Sequence, residues 1–158
     1  MKKLKIYLDT SVISHLQVDD VPEKMDSTLK FWQEIKQEKY DIILSSLVLD
    51  EVGKCPEPKL SKLIEYLREI KFANIEITED IEILAQKYID EKIIPEKYDD
   101  DAVHIAAATI NNCEVILSWN FKHMVKYKTI IGVNGINKYM GYRELEIMTP
   151  ESIIWEEE

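Results

Sequence analysis

Two cysteines, four glycines and five prolines are all that 158 residues contain of the types that staple, hinge or break a chain. Cys55 and Cys113 stand far apart and belong to no CxxC or CxxH pattern. A disulfide framework and a thiolate metal site are therefore not expected; idle thiols in a reducing cytoplasm are. The glycines and prolines are scattered rather than gathered at a boundary, and there is no internal repeat, low-complexity tract or Gly/Ser linker. One domain over residues 1–158 is the expectation. No stretch reaches the roughly 20 apolar residues of a membrane span. Met1-Lys2-Lys3 does not lead into a signal-peptide core either, because Asp9 interrupts the apolar run after a few residues. Basic charge is scarce as well: 20 Lys and Arg face 30 Asp and Glu, for a net charge of −10. Binders of nucleic acid usually present a basic face that neutralises phosphates. This balance lowers the odds of RNA as a ligand. It fits equally a chain that concentrates carboxylates around a cation, or one that meets a basic partner.

What the sequence does have is a regular alternation of short apolar runs and amphipathic stretches. Leu4–Leu8, Asp41–Leu44, Ile75–Ile77 and Glu114–Leu117 read as strands. Helices are expected after Asp9-Thr10-Ser11, over Met25–Lys39, after the capping pair Ser45-Ser46, over Leu60–Lys71, from Thr78 through Ile89, and over Asp99–Ile110. Thr149-Pro150-Glu151 has the form of a helix start with Pro at the first position. Residues 130–158 are read as a final element packed on the sheet edge, and Glu156-Glu157-Glu158 as a frayed end. Strands alternating with helices point to a three-layer α/β/α fold with a central, mostly parallel sheet. In such sheets ligands sit at the carboxyl ends of strands, near a switch in strand order.

Four residues fall where that rule directs attention. Asp9 follows the first strand, Glu51 lies in the helix after the second, Asp101 opens the helix before Val115-Ile116, and Asn120 lies three residues past Leu117. Each has a plain reading: Asp9 and Asp101 as helix caps, Asp99 and Asp100 as favourable charges in a first turn, Glu51 as a solvated helix residue. Brought together, however, the carboxylates repel and take up protons unless a cation neutralises them. Carboxylates with an amide oxygen suit Mg²⁺ (or Mn²⁺) by hardness, whereas zinc favours His or Cys. Among the three histidines, His104 lies three residues after Asp101 on one helix face, and a packed or supporting role is expected for it. His123 is expected to be an exposed helical residue, and Trp119 and Tyr98 are candidates for packing or for stacking on bases. Lys122, Lys126 and Lys128 form the densest basic stretch near Asn120 and are the natural phosphate-contact candidates; a solvated face explains them equally well.

The ordered set Ile6–Ile13, Ser45–Val52, Asp101–Ala108 and Leu117–His123 resembles the PIN-domain ribonucleases, especially the VapC-type toxins of toxin–antitoxin pairs. The resemblance spans most of the chain, with core motifs inside residues 4–125. It implies a Mg²⁺- or Mn²⁺-dependent endoribonuclease, with Asp9, Asp101 and Glu51 as direct or water-mediated ligands and Glu51 as an alternative orienter or base for the attacking water. It further implies that Thr10 and Ser118 supply hydroxyl contacts to metal waters or phosphate, and that the partners are an RNA substrate, a cognate antitoxin and a second copy of the chain. Asn120 departs from the pattern, since the family usually carries Asp there. Asn keeps a carbonyl acceptor but loses a charge, so one firmly held ion is expected, with any second recruited by the substrate. Two other readings stay open: a PIN-fold RNA- or protein-binding module weakened at Asn120, and a phosphohydrolase with Asp9 as nucleophile. The second is disfavoured because position 11 is Ser rather than a second Asp.

Overall fold

The computed structural model describes residues 2–154, so Glu156-Glu157-Glu158 lie outside the described residues. The chain begins with β1 (Leu4–Leu8), a helical turn α1 (Thr10–Ser14) and a 3-10 turn (His15–Gln17). It continues through α2 (Pro22–Lys36), β2 (Tyr40–Ser45), α3 (Ser46–Gly53), α4 (Lys59–Arg68), β3 (Ala73–Ile75) and α5 (Glu79–Asp90). A 3-10 turn (Glu96–Tyr98) leads into α6 (Asp99–Ile110), followed by β4 (Val115–Leu117), α7 (Tyr127–Tyr139), β5 (Glu146–Met148) and α8 (Pro150–Ile153). The sheet order is β3-β2-β1-β4-β5 and every pairing is parallel. This is the expected three-layer α/β/α arrangement.

β1 is the middle strand because Ile6, Tyr7 and Leu8 are fully buried, as a strand covered on both faces requires. It pairs with β2 from Leu4↔Tyr40 to Tyr7↔Ile43 and with β4 from Ile6↔Val115 to Leu8↔Leu117. The chain runs outward from β1 through β2 to β3, then returns to β4 on the other side of β1. The order of strands therefore reverses beside β1, and the carboxyl ends of β1 and β4 open a crevice there. Removing a packed aliphatic from this centre, as in Ile6→Ala, would cost about 2–5 kcal/mol.

Several boundaries differ from the sequence reading for physical reasons. α2 starts a turn earlier than Met25 because Pro22 occupies its first position, and it stops at Lys36 rather than Lys39 because Glu38 takes φ 58°. β3 lies two residues before Ile75–Ile77, set by Ile43↔Ala73 and Ser45↔Ile75 at an exposed sheet edge. The C-terminal segment does pack on the sheet edge, but it comprises a long helix, an edge strand and a short helix. α7 passes so close to Ile93 that a Cβ at Gly132 would stand 2.8 Å from its Cγ1. Cys55 and Cys113 are free. No helix among the described residues is long and apolar enough to cross a membrane.

Candidate active site

The backbone hydrogen bond from Asp9 N–H to Leu117 O (3.0 Å) carries the β1–β4 ladder one step past β1. That step sets Asp9 beside Ser118. Asp9 sits at the N-cap position of α1, but its side chain makes no capping bond. Its Oδ2 instead accepts from Ser11 Oγ at 2.7 Å and Ser118 Oγ at 2.8 Å. Ser11 Oγ accepts in turn from Trp119 N at 2.9 Å, and Ser118 Oγ accepts from Asn120 N at 2.9 Å. Asp9 is 5% exposed. The capping reading is therefore wrong for Asp9: hydroxyls from α1 and from the residue after β4 fix its carboxylate.

Glu51 is delivered by α3, whose start is fixed by Ser45 Oγ accepting from Val48 N. Glu51 Oε1 accepts from Thr10 Oγ1 at 2.9 Å and pairs with His104 Nε2 at 2.6 Å. His104 lies one turn past Asp101 on α6, is 1% exposed, and stands with Nε2 also 3.6 Å from Asp9 Oδ1. Its other nitrogen, Nδ1, bonds the Tyr7 hydroxyl at 2.8 Å, which bonds Ser45 Oγ at 2.7 Å. A hydrogen-bonded chain, buried at Ser45, Tyr7 and His104, thus runs Ser45–Tyr7–His104–Glu51–Thr10. Burial alone would push His104 down, but the Glu51 hydrogen bond and the charges of Asp9, Glu51 and Asp101 hold its pKa above the usual value. Burial raises Glu51, yet the hydrogen bond and charge of His104, the Thr10 hydroxyl and Lys54 bring it below its usual value. The two shifts run in opposite senses, each favouring the charged form of its group, with His104 buried and Glu51 part-exposed.

Asp101 stands in the first turn of α6 and accepts from Asn120 Nδ2 at 3.1 Å. Asn120 Oδ1 accepts from His123 N at 3.0 Å, so both ends of its amide are engaged. Burial and then the charge of Asp9 push Asp101 up to about 6. A carboxyl raised by a neighbouring carboxylate marks a place short of positive charge.

The sequence-selected residues thus divide. Asp9, Glu51, Asp101 and Asn120 come together at the crevice, with Thr10 and Ser118 donating to Glu51 and Asp9. Lys122 is exposed on the following turn, outside the buried network. His123 is not helical; it lies in that turn, stacked on Tyr98 with ring centroids 3.8 Å apart. Tyr7, Ser11 and Ser45 escaped the sequence reading. Tyr7 was recoverable, because it lies two residues before Asp9 and so shares its face of the strand.

The donor set is oxygen-rich, the donor chemistry that a hard divalent ion takes. Among the described residues, no group of three or more His, Cys, Asp and Glu is placed so that it could hold a metal ion.

The PIN domain family model matches residues 6–123, well over half of the chain. The chain belongs to the PIN domain family. The matched span of this PIN domain runs from β1 to the turn after Asn120, and so contains every member of the acidic cluster. No curated protein matches the sequence. Two of the solved structures that share the fold are VapC20 and VapBC2. VapC20 of Mycobacterium tuberculosis, described as a sarcin–ricin loop cleaving toxin, is 15% identical at TM-score 0.55, covering 75% of this chain and 92% of its own. VapBC2 of Rickettsia felis, bound to a fragment of its promoter DNA, is 15% identical at TM-score 0.59, covering 97% of this chain and 100% of its own.

Proposed function

We propose that this PIN domain is a metal-dependent endoribonuclease and the toxin of a toxin–antitoxin pair. The observation that carries the reading is the meeting of Asp9, Glu51 and Asp101 at the crevice beside β1, with Asp101 raised by burial and by the charge of Asp9. Asp9 and Asp101, with Glu51, would hold Mg²⁺ or Mn²⁺ directly or through water. When bound, such an ion stabilises charge on a phosphoryl oxygen and eases deprotonation of water. Glu51, kept ionised by His104, orients the attacking water and accepts its proton as the water oxygen bonds to phosphorus and the P–O bond to the leaving nucleotide breaks. His104, closed behind Glu51 by Tyr7 and Ser45, keeps that carboxylate from turning away. Asn120 holds Asp101 in place without adding a fourth carboxylate, which supports one firmly bound ion, a second arriving with the substrate phosphate.

The fold shared with VapC20 and VapBC2 supports the toxin reading and, with it, a protein antitoxin, action in the cytoplasm and a homodimer. The acidic crevice suits a basic inhibitory side chain from such a partner. Tyr127, Ile131 and Tyr139, exposed on α7, offer apolar surface for assembly. A cleavage assay on structured RNAs with Mg²⁺ or Mn²⁺, run beside Asp9→Asn and Asp101→Asn, tests the reading. Cleavage that falls about 100-fold or more in both variants supports it. RNA binding with no cleavage by the native chain identifies a binding module instead, and a phosphorylated Asp9 identifies the phosphohydrolase.

A further inference from the structure

The turn after β4 carries more than Asn120. Trp119, Phe121 and His123 alternate around it, and the turn is closed by Phe121 N to Trp119 O (3.1 Å) and by Met124 N and Val125 N to Asn120 O (3.2 and 2.9 Å). Trp119 is buried and locked, its Nε1 donating to Thr28 Oγ1 of α2 at 2.9 Å. Phe121 leans on it, ring centroids 6.3 Å apart, but is itself 49% exposed. One turn before Thr28 on α2, Lys24 places its ammonium 5.0 Å from the Phe121 ring centroid and 5.8 Å from that of Trp119. Phe121 is thus an exposed aromatic next to Asn120, set against a buried tryptophan and with a cation near its ring. In a chain of net charge −10, cations gather at this rim: Lys24 and Lys59 both act on His15, and Lys54 acts on Glu51 and Asp100.

We infer that Phe121 and Lys24 form a nucleotide subsite for single-stranded RNA, the ring stacking on an unpaired base next to the cleaved bond and the ammonium meeting its phosphate. Stacking is available only where bases are splayed from a helix, so the subsite selects loops and single strands over duplex. It also gives an acidic protein a way to hold RNA that does not depend on a broad basic face. The inference rests on the ribonuclease reading, and the closing experiment separates the two.

Binding of a labelled single-stranded oligoribonucleotide is measured by fluorescence anisotropy on Asp101→Asn protein, so that the RNA stays intact. Adding Phe121→Ala is expected to weaken binding about tenfold, while Phe121→Trp restores it. An oligonucleotide lacking the stacked base should bind alike with and without the Phe121→Ala change. Lys24→Ala should weaken binding and lower the salt slope by about 1. Duplex RNA should be indifferent to Phe121→Ala, as should every RNA to Ile83→Ala, which removes a similarly exposed residue on α5. If the parent binds RNA and Phe121→Ala binds it equally well, or if duplex loses as much as single strand, the subsite is overturned and the nuclease reading stands. If the parent binds no RNA at all, both fall.

Discussion

Two polar networks of this small domain are built on opposite principles. Behind β4, α5, α6 and α7 meet at Tyr88, Thr109 and Asn137, all buried. Tyr88 hydroxyl donates to Asn137 Oδ1, Asn137 Nδ2 donates to Thr109 Oγ1 at 3.2 Å, and Thr109 Oγ1 donates to Ile105 O at 3.0 Å. Every member is neutral, and burial pushes the Tyr88 phenol further from ionising. At the crevice, by contrast, three carboxyl groups meet a single imidazole, and Asp101 is raised by its burial and then by the charge of Asp9. A network that satisfies itself stabilises the fold; one left short of positive charge stores the means to bind a cation.

The largest expected effect comes from removing the imidazole at the centre of the crevice. His104→Ala leaves the Glu51 carboxylate and the Tyr7 hydroxyl without their partner, and denaturant unfolding should show a loss of about 3–5 kcal/mol. Asn137→Ala, in the neutral network, should cost about 1–3 kcal/mol by the same measurement. An equal or larger loss for Asn137→Ala would erase the distinction between the two networks.

A smaller effect should appear in the pH dependence of stability, measured with a chelator present. Asp101 has its folded pKa raised to about 6, so its stabilising contribution is present below its ordinary value near 3.8 and is lost as pH rises through about 6. Discounted for partial exposure, this amounts to about 1–2 kcal/mol, or roughly 2–8 °C in Tm. His104 acts in the same sense at higher pH, and Glu51 in the opposite sense below its usual value. Asp101→Asn should remove the decline between about pH 4 and about pH 6, whereas Asn137→Ala should leave its shape unchanged. A native melting temperature that rises across this window would contradict the assignment.

The smallest effect compares two buried phenols. Tyr7→Phe and Tyr88→Phe should each cost about 1 kcal/mol of stability. Only Tyr7→Phe should also change the pH profile of cleavage, because Tyr7 bonds the histidine that holds Glu51. A Tyr7→Phe profile that overlays the native one would reduce Tyr7 to packing.

What could be read from the sequence follows from where each segment is buried. β1, β2 and β4 were legible because both faces are covered, which leaves unbroken apolar runs such as Ile6-Tyr7-Leu8. β5 was not, since only Ile147 of Glu146-Ile147-Met148 is buried and the strand is defined by its pairing with Ile116. α7 was obscured by Gly132 and Gly135, poor helix formers, the first retained for close packing on Ile93. At the crevice, the carboxylates and Asn120 could be named from motif and position. Of the side chains that fix them, Ser118 and His104 were named and Ser11 was not; none of their partners could be, since these lie across as many as 109 residues and only the sheet order sets those distances.

Calorimetric titration of Mn²⁺ into the RNA-free chain, beside Asp9→Asn and Asp101→Asn, bears most directly on whether the acidic crevice is a cation site. One saturating ion per chain is expected for the native protein, with binding lost or greatly weakened in both variants. Native protein that takes up no Mn²⁺, or variants that bind it as tightly as the native chain, would contradict a metal-holding role for the cluster.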